Sequence, residues 1–370
     1  MDCLPLASMD YGAFTQNLWE GNTEAWLPFC GSMEVTPYCN LKCRHCYITH
    51  CKWNDKVLST KEVFRILDEL ADAGCLWLLL TGGEPFLRPD FLDIYTHAKK
   101  KGFLLNLFSN ATLITDDIAR YIGEIKPFEM QVTLYGASAE TYHRITGSPE
   151  AFRQSRQGIE SLLRHGVPLT LKAMVMNTNV HELKEMQQYA QGLGVHFYYD
   201  PVINPGLDGS HGVCQVRLTP QEIVRLDQED PERRAQWELL LEKFNPFSGE
   251  KPDPVEPLFT CGASRGRFHI DAFGHMNICF LVRRPAYDLR QGSFQDGYRN
   301  FLPKIVSGNR TKESACRTCD YRRLCVMCPG WSLLETGEIE EKPVPYLCQI
   351  AHLRAQAFGR QLKDQVSVKG

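Results

Sequence analysis

The chain has 370 residues and a formal net charge of −3, without the excess of basic residues that nucleic-acid-binding proteins usually carry. Apolar residues make up 43% of the sequence and charged residues 23%, as in a soluble globular protein with room for one large and one smaller domain. No run approaches the roughly 18 uninterrupted apolar residues of a membrane helix, so we expect binding neither to nucleic acid nor to a membrane.

The first ten residues lack the basic start and apolar centre of a signal peptide, which predicts a cytoplasmic protein. Further along, short apolar runs alternate with amphipathic helical patterns. The runs lie at 33–35, 76–80, 103–108, 129–134, 169–176 and 195–199, and the helical patterns at 60–73, 89–101, 115–125, 150–165 and 179–193. This alternation predicts an α/β fold of parallel units. Six strands make a partial (β/α)6 barrel, because a closed eight-stranded barrel needs about 250 residues.

The alternation stops after Asp200, where residues rich in proline and glycine lead into a charged helical stretch at 219–244. A second proline-rich segment, 251–257, precedes a loop-rich region with seven cysteines, which ends on a helical pattern at about 346–363. Such a region needs metal to hold it together. We therefore expect an N-terminal extension at 1–30, a β/α core at 31–205, a helical linker region at 206–258 and a metal-stabilised domain at 259–370.

Fifteen cysteines are the outlier of the composition, and thiols stay reduced in the cytosol. Cys39, Cys43 and Cys46 follow the first strand at C-x3-C-x2-C spacing, at the end of a strand where a β/α fold places its chemistry. Three thiolates can hold three irons of a [4Fe–4S] cluster and leave the fourth iron open. A zinc site needs four ligands, and His45 or Cys51 could supply the fourth, so zinc stays an alternative for this segment alone.

The segment CNLKCRHCY resembles the signature of the radical S-adenosylmethionine (SAM) enzymes, and the resemblance extends over about residues 30–200. The next strand ends in LLLTGGEPFLRPDF, where Gly82, Gly83, Glu84 and Pro85 resemble the family segment that contacts the SAM amino group. Glycine lets the backbone approach a ligand closely. The resemblance also implies SAM contacts for four further residues, namely Ser109 and Asn110 after the third strand, Arg144 after the fourth, and Tyr47 against the adenine.

The resemblance implies a mechanism as well. The open iron of the cluster would chelate the amine and carboxylate of SAM, and one electron would cleave SAM into methionine and a 5′-deoxyadenosyl radical. That radical would abstract hydrogen from an unactivated carbon, while the protein supplies position and excludes water. An electron donor such as flavodoxin or ferredoxin is therefore expected. No general base is identified; Lys172, Tyr198, Tyr199 and Asp200 lie on strands that face the expected site.

The C-terminal cysteines have the spacings C-x12-G-x4-C and C-x2-C-x5-C-x2-C, followed by one more cysteine. They resemble the SPASM domain, the auxiliary iron–sulfur extension of radical SAM enzymes, except that two residues replace the usual three in the last interval. The resemblance implies two auxiliary [4Fe–4S] clusters, one held by Cys316, Cys319, Cys325 and Cys348 and the other by Cys261, Cys279 and Cys328. A zinc ribbon is the alternative, since C-x2-C pairs are common in zinc sites.

Family members with SPASM domains commonly modify peptides or proteins, so we expect oxidative modification or crosslinking of a ribosomally made peptide. Only 38 residues precede Cys39, which predicts no leader-binding domain here and a separate leader-peptide recognition protein, or direct binding of the substrate. Two alternatives remain open. One is a radical SAM enzyme acting on a small molecule of the haem-precursor or sugar type, and the other is a zinc-stabilised binding module.

Overall fold

The computed structural model describes residues 26–48, 56–243, 257–340 and 342–359. It contains a nine-stranded sheet in the order β6-β5-β4-β3-β2-β1-β7-β8-β9. The strands are β1 (Cys30–Thr36), β2 (Trp77–Gly82), β3 (Leu104–Ser109), β4 (Glu129–Thr133), β5 (Leu169–Met174), β6 (His196–Asp200), β7 (Phe268–Ile270), β8 (His275–Asn277) and β9 (Tyr287–Asp288). Strands β1 to β6 pair in parallel, which confirms the predicted fold class. Within the described ranges, no helix has the length and apolar character needed to cross a membrane.

Helices connect the parallel strands as the sequence patterns predict, with one addition, α4, between β4 and α5. The helices are α1 (Thr60–Asp72), α2 (Phe91–Lys100), α3 (Asp116–Glu124), α4 (Ala139–Thr146), α5 (Ala151–Arg164), α6 (Leu183–Gly192), α7 (Pro220–Glu229), α8 (Pro231–Lys243), α9 (Phe294–Asp296), α10 (Leu302–Val306), α11 (Pro329–Thr336) and α12 (Pro345–Phe358). Local chemistry defines their starts: Ser59 caps α1 and forms a reciprocal capping box with Glu62.

The sheet continues from the predicted core into the cysteine-rich region, which sequence patterns did not indicate. β1 pairs in parallel with β7, and Gly31 lies opposite Phe268. A Cβ on Gly31 would lie 2.1 Å from the Phe268 ring, so this position needs glycine. The backbone hydrogen bonds of one sheet therefore join the two cysteine-bearing regions. Cys51 and residues 1–25 and 244–256 lie outside the described part of the chain.

The two faces of the parallel strands differ in polarity because side chains alternate along each strand. One face packs under the helices as a hydrophobic core that includes Met33, Leu80, Leu107 and Val132. The opposite face, which we call the lumen face, carries polar side chains toward the concave side of the partial barrel. Its residues include Glu34, Asn106, Gln131, Lys172 and Tyr198.

Helix α12, near the end of the described chain, packs against helices α7 and α8. Arg354 on α12 and Asp227 on α7 are 1% and 0% exposed, with 2.8 Å between Nε and Oδ2. Arg233 pairs with the same carboxylate at 2.6 Å, and the Arg354 guanidinium stacks 3.9 Å from the centre of the Trp237 ring. A buried charge is tolerated because it is paired and hydrogen-bonded.

Replacing Asp227 by Ala should destabilise the protein by about 3–5 kcal/mol, because it leaves a buried guanidinium without its carboxylate. Urea denaturation measures the loss. Glu229→Ala is the matched control on the same helix, since Glu229 pairs with Arg225 at an exposed site and should cost at most about 1 kcal/mol. Equal losses for the two variants would contradict the assignment of the buried pair.

Candidate functional site

The loop that carries the first three cysteines, Cys39–Cys46, lies at the carboxyl edge of the parallel sheet, directly after β1. Its backbone is held by the end of α4. The N–H of Lys42 donates to the carbonyl of Thr146 at 2.9 Å, and the N–H of Arg44 donates to that of Ile145 at 3.0 Å. The last carbonyls of α4 thus accept hydrogen bonds from this loop. Helix α4, which the sequence did not predict, therefore positions the cysteine loop.

The structure brings Cys39, Cys43 and Cys46 together. Burial, with contributions from the nearby Glu84 carboxylate and Cys46, raises the pKa of the Cys39 thiol to about 11. Burial and the two neighbouring cysteines raise the pKa of Cys43 further above its usual range. Because a metal binds thiolates, ligation here would displace protons from all three sulfurs and join metal loading to the local fold.

Hydrogen-bond donors point at two of these sulfurs. The backbone N–H of Leu41 donates to Cys39 Sγ at 3.4 Å. The hydroxyl of Tyr135 donates to the sulfur of Cys43 and favours its thiolate form. Cysteine sulfurs that accept N–H and O–H hydrogen bonds suit an iron–sulfur cluster, because such bonds stabilise the sulfurs of a cluster. The residues therefore fit the cluster that the sequence resemblance implies.

Gly82 and Gly83 pack directly against the chain that leads into the cysteine loop. The N–H of Gly83 donates to the carbonyl of Thr36 at 2.9 Å. A Cβ on Gly82 would lie 2.3 Å from the Thr36 carbonyl oxygen, and one on Gly83 would lie 2.2 Å from that of Tyr38. Gly82 also has a φ of 144°. Both glycines are needed for this backbone contact, whereas the sequence predicted only that they let the backbone approach a ligand.

Glu84 is 1% exposed and connects the second strand to the third. Its carboxylate accepts from the Ser109 hydroxyl at 2.9 Å and from the N–H groups of Asn110 and Phe86 at 2.8 and 3.2 Å. Burial raises the pKa of Glu84 to about 7, although these three donors favour the ionised form. The side chains of Glu84 and Ser109 thus hold the edge of the sheet together, and Pro85 begins the turn Pro85–Leu87 that follows.

Asn110 connects this edge to the first cysteine. Its Oδ1 accepts from the N–H and hydroxyl of Thr112 at 2.9 and 2.6 Å, which fixes the orientation of the amide. Nδ2 consequently faces the cysteine loop and donates to Asn40 Oδ1 at 3.1 Å and to Cys39 Sγ at 3.7 Å. The predicted SAM contacts of Ser109 and Asn110 stay predictions; the structure shows them bonded to Glu84 and Cys39.

Two other residues predicted to contact SAM have protein partners. The Tyr47 ring packs on Phe280, with 5.8 Å between the ring centroids. This contact places Tyr47 between the first cysteine loop and the region around Cys279. Arg144 is half-exposed on α4 and pairs with Glu140 at 2.6 Å, one helical turn away. The structure therefore does not bring Arg144 into the hydrogen-bond network of Glu84 and Cys39.

Sequence reasoning missed Tyr135, which is 8% exposed and lies just after β4. Its ring packs edge-on against Tyr142, with 5.4 Å between the centroids, and its hydroxyl contacts Cys43. Its position after a parallel strand was the available signal, because such positions meet at the carboxyl edge of the sheet. Its neighbour His45 is partly buried, and Nδ1 of this ring is buried without a hydrogen-bond partner among the described residues.

Seven C-terminal cysteines form two groups. The first group lines a cavity of about 50 Å³ together with Tyr321, Arg322 and His352, and consists of Cys316, Cys319, Cys325 and Cys348. Burial, followed by the charges of the other three cysteines, raises the pKa of Cys325 to about 11. These four sulfurs thus lie in one cavity, although they span 33 positions of the chain from 316 to 348.

The second group consists of Cys261, Cys279 and Cys328. Burial, with smaller contributions from the other two cysteines, raises the pKa of Cys328 to about 11. Cys279 Sγ accepts from the N–H of Leu281 at 3.5 Å, and Cys328 Sγ accepts from that of Trp331 at 3.4 Å. Within the described ranges, no three His, Cys, Asp or Glu side chains have the spacing for one shared metal ion.

A buried ion pair connects the two cysteine regions. Glu34 on β1 is 3% exposed, and Arg283, which follows β8, donates to it at 2.6 Å. Burial opposes ionisation of Glu34, but the neighbouring His269 ring, 3.4 Å away, and the charge of Arg283 lower its pKa to about 2. Burial, followed by the nearby charge of Glu34, raises the pKa of the Tyr47 hydroxyl, and Arg283 opposes this change. The lumen face thus carries fixed charges between the first cysteine loop and the second group.

Comparisons with known proteins agree with this geometry. Residues 33–190 match the family described as the Radical SAM superfamily. The chain is 24% identical to an AdoMet-dependent heme synthase of Methanosarcina barkeri, over 84% of this chain and 94% of the relative. It is 29% identical to the mycofactocin maturase MftC of Mycobacterium tuberculosis, over 80% of this chain and 77% of the relative. Two further proteins named heme synthase match over 42% and 44% of their own length.

Among solved structures, SuiB of Streptococcus suis bound to S-adenosylmethionine superposes with a TM-score of 0.66. The match covers 94% of this chain and 83% of that protein, at 16% sequence identity. At this identity, the likeness establishes a shared fold and leaves the chemistry to the residues of the site.

Gly83→Ala should displace the cysteine loop, because the new Cβ would lie 2.2 Å from the Tyr38 carbonyl oxygen and 3.0 Å from the Cys39 nitrogen. We expect a lower iron content after anaerobic reconstitution, measured per chain by colorimetric assay. Gly192→Ala is the matched control, since nothing lies within 4 Å of its added Cβ. An iron content equal to that of the wild type would show that the loop tolerates the displacement.

Asn110→Asp should lower the reduction potential of a cluster held by Cys39. The substitution keeps the oxygen that accepts from Thr112 and removes the N–H that donates to the sulfur, and hydrogen bonds to sulfur raise such potentials. A redox titration followed by electron paramagnetic resonance measures the change. The exposed Asn300→Asp controls for added charge at a distance. An unchanged potential in Asn110→Asp would rule out this effect of the amide.

Proposed function

Because residues 33–190 match the Radical SAM superfamily, we propose that this chain is an oxidative maturase that abstracts hydrogen from a peptide or protein substrate. A radical SAM domain over these residues implies an enzyme that uses a [4Fe–4S] cluster and SAM. When bound, these cofactors supply a 5′-deoxyadenosyl radical. The observation that carries the proposal is the convergence of Cys39, Cys43 and Cys46 at the carboxyl edge of β1.

We assign Cys39, Cys43 and Cys46 as the cluster ligands and the segment Gly82–Pro85 as the neighbouring SAM site. Glu84 and Asn110 position these elements against each other through buried hydrogen bonds. Ser109, Tyr47 and Arg144 remain proposed SAM contacts. Bringing Arg144 to SAM would require it to leave Glu140, an exposed pair whose loss costs at most about 1 kcal/mol.

The two C-terminal cysteine groups support auxiliary clusters. Four sulfurs around one cavity provide the full ligand set of a [4Fe–4S] cluster, and the group of three would leave one iron for another ligand. An auxiliary cluster can take up the second electron after hydrogen abstraction, which suits a net two-electron oxidation such as crosslinking. Tyr47 and Phe280 place the group of three beside the first cysteine loop.

The relatives support a peptide substrate and also a second candidate. The maturase MftC and the subtilosin biosynthesis protein AlbA of Bacillus subtilis both match over at least 76% of this chain. The heme synthase of Methanosarcina barkeri matches over 94% of its own length, which favours a haem precursor as the alternative substrate. A peptide substrate would reach the site directly or through a separate leader-recognition protein, and flavodoxin or ferredoxin would supply the electron.

Reconstituted wild-type protein should convert SAM to 5′-deoxyadenosine under reducing conditions, whereas Cys39→Ala should form none, because two cysteines cannot replace the three-ligand set. Cys348→Ala should retain this cleavage if its group serves only the substrate half-reaction. Liquid chromatography with mass spectrometry measures the product. Cys214→Ala is the control, since Cys214 lies outside the three cysteine groups. Formation of 5′-deoxyadenosine by Cys39→Ala would refute the ligand assignment.

Metal analysis separates this proposal from a zinc-stabilised binding module. Three [4Fe–4S] clusters require about 12 iron atoms per chain, with matching sulfide. Zinc without iron–sulfur absorbance would exclude the enzyme function. The two substrate classes are then separated by incubation with short peptides encoded beside the gene and with an iron–porphyrin carboxylate. Loss of two hydrogens from a peptide supports the maturase, and change of the porphyrin alone supports the alternative.

A further inference from the structure

Five polar side chains form a connected cluster on the lumen face of β4, β5 and β6. We call this group the lumen cluster; its members are Glu129, Gln131, Thr170, Lys172 and Tyr198. Gln131 Oε1 accepts from the Tyr198 hydroxyl at 2.6 Å and from Lys172 Nζ at 3.3 Å. Glu129 accepts from Gln131 Nε2 at 2.7 Å and from the Thr170 hydroxyl at 2.6 Å. The proposed maturase function uses none of these contacts.

The lumen cluster has more hydrogen-bond donors than its own acceptors use. Lys172 carries three N–H donors, of which one is directed at Gln131, and Gln131 Nε2 has a second N–H beyond the one that binds Glu129. Both oxygens of Glu129 already accept hydrogen bonds. A ligand that complements this arrangement must therefore bring acceptors.

The surroundings of the Lys172 amine point to the same kind of ligand. Among the described residues, no carboxylate lies within 4.0 Å of its nitrogen, and Nζ lies 2.8 Å from the centre of the Phe108 ring. Burial lowers the pKa of Lys172 well below its usual value, while Glu129 opposes the change from a greater distance. Burial disfavours the charged form of this amine, and a carboxylate in contact with it would stabilise the ammonium and complete an ion pair.

The lumen cluster is also open to a ligand. Tyr198 is 39% exposed. Lys172 pairs with Thr133 on β4 and with Tyr198 on β6, and it lies two residues before the end of β5. Two residues of a strand span about 7 Å, so the Lys172 backbone lies roughly that far below the carboxyl end of β5.

We propose that the lumen cluster is a substrate subsite in which Lys172, with Gln131 and Tyr198, binds a carboxylate of the substrate. The inference rests on the proposed function only in placing the substrate within the partial barrel. A peptide terminus and a porphyrin side chain can both present a carboxylate, and the experiment distinguishes the two sources.

The test measures binding to the reconstituted full chain in the presence of SAM, using two matched pairs of probes. One pair is a pool of random pentapeptides without Asp or Glu, with either a free or an amidated C-terminus. The other pair is coproporphyrin III and its tetramethyl ester. We expect the free acid of one source to bind the wild type at least about tenfold more tightly than its capped form, as for a hydrogen bond to a charged group.

Lys172→Met should abolish this preference, and Lys172→Arg should retain part of it because the cation remains. Lys100→Met is the matched control, since Lys100 is exposed at the end of α2 and lies outside the lumen cluster. The inference is overturned if the wild type shows no preference for either free acid, a result that requires no variant to fold. It is also overturned if the preference survives in Lys172→Met.

The proposed function and the carboxylate subsite can be refuted separately. If the wild type forms no 5′-deoxyadenosine from SAM, the radical SAM activity is refuted regardless of carboxylate binding. If 5′-deoxyadenosine forms and Lys172 does not influence binding, only the carboxylate subsite is refuted. A circular dichroism spectrum and an iron content per chain equal to those of the wild type would show that Lys172→Met is folded and loaded.

Discussion

The close approach of two backbones at the carboxyl edge of the sheet is the constraint on which the site depends. The turn after β2 packs against the segment between β1 and Cys39 at distances that only glycine allows. That contact aligns the cysteine loop with Glu84, and the buried carboxylate carries the alignment on to β3. Three consecutive strand ends therefore form one unit, in which a shift of any segment breaks buried hydrogen bonds to the others.

The continuous sheet has a similar consequence over a longer distance. Because β7 extends the parallel sheet beside β1, the C-terminal cysteines are oriented by main-chain hydrogen bonds as well as by any metal they bind. The ion pair of Glu34 and Arg283 adds a fixed charge between the two regions. The pair fixes the two regions relative to each other more than it stabilises the fold, since a buried ion pair contributes little net stability over an apolar replacement.

Polar groups on the lumen face divide into two kinds. Near β1 the charges are paired, as Glu34 is with Arg283. Near β5 the Lys172 amine has a ring and an amide as partners but lacks a carboxylate in contact among the described residues. The lumen therefore has an internally satisfied side and a side with unused donors. In the subsite that we propose, this asymmetry would orient the carboxylate of a substrate toward Lys172.

Local patterns in the sequence determined the alternation of strands and helices, the parallel sheet and the three cysteine groups. These features depend on residues close together in the chain, since periodicity and turn chemistry act over a few positions. The sequence did not reveal α4, whose eight residues carry a weak apolar pattern, or the parallel pairing of β1 with β7, which joins residues more than 200 positions apart.

Only the tertiary structure decided which partners the site residues have. Tyr135 gained a role through its contact with Cys43, while Arg144 was found with Glu140 on the exposed side of its helix. The sequence showed that Lys172 lies on a strand facing the expected site, but its lack of a carboxylate partner within the described residues depends on the side chains of three strands. Such contacts follow from packing between distant segments, and the free energy of a buried polar group depends on its neighbours in space.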